Sequence, residues 1–178
     1  AGMSIVSRII FFAFSAALGI GQGFQPVSAF NYGAGQYSRI RKGFRFTMLV
    51  AEGIIIAACT VLIVFSGNLI ALFREDPEVI AVGTRALQLQ ALATLLLPIS
   101  MTTEMLFQST GKRLGASLLS VLRSGLLFIP FLLILSYFRG LSGIQEAQPL
   151  SQVLALPVAI LFAMSFFRKL PRDDKTKI

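Results

Sequence analysis

Gly21-Gln22-Gly23-Phe24-Gln25-Pro26, running on through Phe30-Asn31-Tyr32-Gly33-Ala34-Gly35, is the stretch that decides how the chain is read. An apolar run from Met3 to Leu18 leads into it, and a basic cluster of Arg39, Arg41, Lys42 and Arg45 follows. Glycine, glutamine and proline therefore sit inside, or at the end of, one long hydrophobic helix. A helix facing only lipid gains nothing from them. A helix packed on neighbours, or lining a polar cavity, uses the small residues for close backbone approach. It also needs a neighbour or water for the carbonyl that proline opens. The rest of the chain reads as helices arranged beside this one.

Composition agrees. The chain has 178 residues, 55% of them hydrophobic and only 13% charged, with a mean hydropathy of +0.77. A soluble domain carries about twice that share of charge. Apolar runs long enough to cross a hydrocarbon core of ~30 Å recur along the sequence. The class is an all-α polytopic membrane protein of about five transmembrane helices. The formal charge of +8 invites a nucleic-acid reading. The basic residues cluster at helix ends instead, as topology signals do, so no nucleic-acid partner is expected. One cysteine, Cys59, excludes an internal disulfide and reads as a small buried hydrophobe. With no histidine, neither a zinc site nor histidine acid–base chemistry is expected. No signal peptide is visible, and the chain does not begin with Met.

The expected helices are about 3–30, 46–65, 77–109, 114–137 and 149–167, making residues 1–170 one transmembrane unit with a tail at 171–178. Asp76-Pro77-Glu78 is a helix start: a capping acid, proline at the first position and an acid in the first turn. Pro98 is expected to bend the third helix. Thr110 to Arg113 is expected to be a tight turn that makes the third and fourth helices antiparallel neighbours.

Three further stretches carry a resemblance. G-x-G-x-Q-P followed by N-Y-G-A-G and a basic run is similar to the multidrug and toxic compound extrusion (MATE) family of cation-coupled antiporters. So are Phe107-Gln108-Ser109-Thr110-Gly111-Lys112, then Leu122-Arg123-Ser124-Gly125 with Ile129-Pro130, and Gly140-Leu141-Ser142-Gly143. The resemblance covers nearly the whole chain. It implies twelve helices in two lobes, of which this chain supplies the later part of the second, as a C-terminal lobe fragment. The missing N-terminal lobe, membrane lipid and small organic, often cationic, substrates are the implied partners. H⁺ or Na⁺ is the implied coupling ion, and no cofactor is expected.

Loop charge gives orientation. One side holds Arg39, Arg41, Lys42 and Arg45, then Lys112 and Arg113, then Arg168, Lys169, Arg172, Lys175 and Lys177. On the other side, Arg74, Arg85 and Arg139 are offset by Glu75, Asp76, Glu78 and Glu146. Short loops rich in Lys and Arg stay cytoplasmic. The C-terminus is expected inside and the N-terminus outside, in the cell inner (plasma) membrane.

Three charges, Glu52, Glu104 and Arg123, are placed in the inner half of the membrane. Glu52 is ~10 Å along the second helix from Arg45, Glu104 is ~12 Å from the inner end of the third, and Arg123 is ~16 Å along the fourth from Lys112, at 1.5 Å per residue. Charges at such depth are costly and pair or face water. One arginine with two carboxylates leaves one acid in excess, able to take a proton or hold a cation. The alternative is a structural ion pair, or Glu52 reaching the interface. Glu104 and Arg123 are expected to be close enough to pair. The family's acidic residue on the corresponding helix lies deeper than Glu104, so its role is not carried over. Gln22 and Gln25 share a helix face, and with Asn31 they are candidates for the wall of a substrate cavity. Plain interhelical hydrogen bonding is the alternative. Met48, Met101, Met105 and Met164 are candidates for a soft pocket wall, or for ordinary core and lipid contacts.

The leading function is secondary-active multidrug efflux by cation antiport. A flippase of lipid-linked precursors from the same superfamily is the alternative, and it would need more cavity-lining cations than Arg123. A non-transport membrane scaffold does not explain buried charge. No cluster of catalytic acids, His or Cys supports an enzyme.

Overall fold

The structure, a computed structural model, describes residues 2–73, 76–171 and 174, with the backbone alone at 2, 123, 124 and 141. Among these residues every regular element is helical. The helices are α1 (Gly2–Gly33), α2 (Tyr37–Val64), α3 (Ser66–Phe73), α4 (Pro77–Thr94), α5 (Leu97–Ser109), α6 (Arg113–Val121), a π-helical turn (Leu122–Leu126), α7 (Phe128–Arg139) and α8 (Leu141–Lys169).

α1 is the hub, packing against α2, α4 and α5, and α8 closes the other side against α4, α5 and α7. Gly21 explains how close α1 comes to α5: a Cβ there would lie 2.2 Å from Met105 Sδ. Val6, Ile10, Ala17, Ile55, Leu87, Leu97 and Met101 form one core cluster. Phe24, Ile40, Phe44, Leu106, Phe107 and Phe166 form a second, towards the basic loops. In the second cluster aromatic rings meet at 5.0 Å (Phe44–Phe167) and 5.5 Å (Phe107–Phe166).

Among the described residues α1, α2 and α8 are each long and apolar enough to cross a membrane, and α4 with α5, bent by 48° where they meet, is long and apolar enough for a fourth when the two are taken together. The bend has the cause the sequence named. Pro98 in the first turn of α5 cannot donate a backbone hydrogen bond, and its ring crowds the carbonyl four residues back. The remaining apolar stretch, expected as one helix over 114–137, is instead α6, a π turn and α7. Pro130 again removes a donor and crowds a carbonyl, and just before it Leu127 N donates to Leu122 O at 3.2 Å, an i→i−5 bond.

Two more boundaries differ from expectation. α2 begins at Tyr37 rather than about Phe46, so the basic run Arg39–Arg45 occupies its first turns. α8 begins at Leu141 rather than about Pro149. In both cases polar residues that read as loop lengthen the helix beyond its apolar part. Hydropathy marks where lipid ends, not where helix ends. α3 also occupies a stretch expected to link two helices.

The turns are specific. Asp76 caps α4 by accepting from Glu78 N at 3.0 Å. α1 and α5 both end in the same two-bond motif. Gln36 N donates to Asn31 O and Gly35 N to Tyr32 O; Lys112 N donates to Phe107 O and Gly111 N to Gln108 O. Such an ending needs a left-handed residue after the cap, supplied by Gly35 (φ 69°) and Gly111 (φ 75°). The α7–α8 corner carries an ion pair, Arg139 Nη1 to Glu146 Oε2 at 2.5 Å. At the basic end, Asp174 accepts from Ser38 N at 2.7 Å and from the Ser38 hydroxyl, and these bonds hold its carboxyl below its usual range. Arg74, Glu75 and most of the tail at 171–178 lie outside the described residues.

Candidate functional site

Gln22 and Gln25 project from the glycine-containing half of α1 towards α5. Together with Leu18, Met101, Glu104, Met105 and Gln108 they line a cavity of about 210 Å³. Gln25 Nε2 donates to Gln108 Oε1 at 2.7 Å, and Gln108 Nε2 donates to Glu104 Oε1 at 3.2 Å. A polar relay thus runs from α1 across to a carboxylate on α5. The spacing of α5 puts Glu104 and Gln108 one turn apart on one face. Gly21, on the neighbouring face of α1, brings the two helices close enough for the relay to close. Met101 and Met105 supply polarisable, adaptable walls. The Glu104 carboxylate thus accepts from one amide, Gln108, which is itself held by a second, beside two thioethers.

The other expected residues fall elsewhere. Asn31 is buried near the end of α1, where its Nδ2 donates to Val27 O at 2.7 Å, and it lines neither polar cavity. Glu52 is half-buried on α2 and does not line the Glu104 cavity. Arg123 stands in the π turn, but its side chain, and with it the expected pair with Glu104, lies outside the described residues. Met48 packs on the aromatic core and Met164 lies on α8 away from this cavity. Among the described residues no group of three or more His, Cys, Asp or Glu is placed to hold a metal ion.

A second polar cavity was not anticipated. It has a volume of about 400 Å³ and lies between the first half of α1, the α4–α5 break, α7 and α8. Gln90, Gln148, Ser151 and Gln152 face it, together with Phe11, Phe14 and Phe128. Gln90 Nε2 and Gln152 Oε1 are buried with no hydrogen-bond partner among the described residues. Gln145, Gln148 and Gln152 recur at helical spacing, a signal that was present in the sequence. It was hidden because the stretch up to Gln148 read as a loop.

Comparison with known proteins places this arrangement. The MatE family model matches residues 1–134. The chain belongs to the MatE family. The multidrug export protein MepA of Staphylococcus haemolyticus is 25% identical over the whole chain, which spans 39% of that protein. The solved MATE multidrug transporter DinF-BH superposes with a TM-score of 0.82 at 35% identity, over 94% of the chain and 37% of its own length. Two structures of a multidrug resistance MATE family transporter of the MOP superfamily are also similar, one facing outward and one facing inward. The chain matches the outward state with a TM-score of 0.88 at 20% identity, over 95% of the chain and 38% of that structure. For the inward state the values are 0.85, 19%, 93% and 39%. The chain therefore spans about two-fifths of the length of its relatives, the share expected of part of one lobe, and it is a multi-pass membrane protein.

Proposed function

We propose that this chain works within a secondary-active exporter that exchanges H⁺ or Na⁺ for small organic, often cationic, compounds. Glu104 is the ion-handling group and Gln22, Gln25 and Gln108 its polar surround. The observation that carries this reading is the closed relay from Gln25 through Gln108 to the Glu104 carboxylate, within a cavity on the helix pair that organises the fold. A flippase of anionic lipid-linked precursors is less well supported, since neither polar cavity has a lysine or arginine among its described lining residues. Similarity to an outward-facing and an inward-facing MATE structure alike fits a unit that moves as a rigid body. Alternating access requires two bundles around a shared site. Cells expressing residues 1–178 alone should show no efflux above background, and co-expression with the remainder of the transporter should restore it. Efflux from the 178-residue chain by itself would contradict the proposal.

The proposed orientation, with the basic loops and C-terminus cytoplasmic, is tested by labelling single cysteines in a Cys59→Ala background. Ala34 and Ser142 are both exposed, at opposite ends of the bundle. An impermeant thiol reagent added outside cells should label Ser142→Cys and miss Ala34→Cys. The opposite pattern would invert the topology.

The 400 Å³ cavity is proposed to contact the substrate, with phenylalanines for its ring systems and unpaired amide atoms for its polar groups. A buried unpaired polar group costs about 1–3 kcal/mol. Gln152→Leu should therefore raise thermal stability while weakening transport, the trade-off expected of a residue kept for function. Lower stability with unchanged transport in Gln152→Leu would assign this glutamine a purely structural role.

A further inference from the structure

A third concavity, of about 670 Å³, runs between α2, α5 and α8 at the basic end of the bundle, apart from both polar cavities. Its walls are apolar, formed by Phe44, Ile99, Ile160 and Met164 among others, while Arg41 and Arg168 line the same groove. We propose that this groove binds one anionic phospholipid of the surrounding bilayer, with its phosphate between Arg41 and Arg168 and its acyl chain along the apolar wall.

Two chemistries share one groove, and only an amphiphile uses both. A soluble anion gains nothing from the phenylalanine and isoleucine walls. A neutral apolar compound gains nothing from the guanidiniums. The dimensions agree: Ile160 lies about eight residues before Arg168 on α8, so the apolar wall extends ~12 Å from the cationic mouth. Arg41 is already positioned, because its Nη2 donates to Leu170 O at 2.9 Å and to Pro171 O at 3.2 Å. A planar guanidinium held in this way recognises a phosphate with little further ordering. Those carbonyls close the C-terminal end of α8 and partly offset its charge. Arg168 is exposed and adds the second cation. Asp174, a described acid at this end, does not line the groove and is hydrogen-bonded to Ser38 at the start of α2. Basic pockets between transmembrane helices on the cytoplasmic side are suited to anionic headgroups, and the orientation proposed above puts this end there.

The test is native mass spectrometry of the detergent-purified protein titrated with dioleoyl phosphatidylglycerol or dioleoyl phosphatidylcholine. Phosphatidylglycerol should bind more tightly. Arg168→Gln should weaken it about fivefold, the effect of one cation near a lipid surface, and leave phosphatidylcholine unchanged. Met164→Trp, which fills the groove without altering charge, should weaken both lipids. Arg45→Gln removes an exposed cation outside the groove and should change neither. Equal affinity for the two lipids in the unaltered protein would overturn the proposal. So would an Arg45→Gln loss as large as that of Arg168→Gln, or displacement of the lipid by millimolar inorganic phosphate.

Discussion

Glu104→Gln is expected to abolish the ion dependence of efflux while leaving the protein folded and in the membrane. Glutamine matches the carboxylate in shape and still offers an oxygen to Gln108 Nε2, which sits 3.2 Å from Glu104 Oε1. The Gln25–Gln108 bond across α1 and α5 is untouched. What is lost is the ability to gain and release a proton or cation. Coupling between two ligands is typically about 1–3 kcal/mol, or about 5–150-fold, so efflux at a favourable gradient should fall by at least about fivefold. Its slope against pH or Na⁺ should flatten. Glu52→Gln, outside the cavity, should keep that slope. Expression, melting temperature and efflux measured together separate the cases: a fall in expression for Glu104→Gln would make Glu104 a structural residue instead.

Gly143→Ala should be the most destabilising single methyl group added to the described chain. Gly143 stands two residues into α8, just past the corner that reverses the chain from α7. A Cβ there would lie 1.9 Å from Leu135 O and 2.3 Å from Leu135 C. Backbone atoms cannot swing away as a side chain does. By contrast, a Cβ on Gly115 meets only the Phe107 ring, at 2.4 Å. Overpacking usually costs about 1–3 kcal/mol and sometimes more. At Gly143 the α7–α8 hairpin must open, so about 3 kcal/mol is expected, which for a protein of this size lowers the melting temperature by about 6–12 °C. Gly115→Ala should cost less. Equal melting temperatures for Gly143→Ala and the unaltered protein would show that the hairpin is looser than described.

Much of this was legible because bilayer physics is one-dimensional. Hydropathy located the spans, Asp76-Pro77-Glu78 located a cap, and Gly21 with Gln22 and Gln25 marked the helix face that meets α5. Three things were not legible. Helix ends were misplaced wherever polar residues continued a helix beyond lipid, at Tyr37–Arg45 and Leu141–Gln148, because nothing in composition separates a polar helix turn from a polar loop. The π turn before Pro130 requires knowing which neighbour takes the displaced carbonyl. The surround of Glu104 was only partly legible for a third reason: depth counting compares residues along the membrane normal and is blind to rotation about each helix. Glu52 was grouped with Glu104 by depth but does not line its cavity, whereas Gln108, one turn from Glu104 and already part of a quoted motif, does line it and bonds Glu104.

The proposed drive for export is ion exchange at Glu104. Reconstitute the complete transporter in liposomes loaded with a fluorescent organic cation. Follow its movement under an imposed pH or Na⁺ gradient at zero membrane potential. Gradient-driven movement is expected in the unaltered protein, stopping when an ionophore collapses that one gradient, and none is expected with Glu104→Gln. Movement of equal rate with and without both gradients, or undiminished in Glu104→Gln, would contradict that drive.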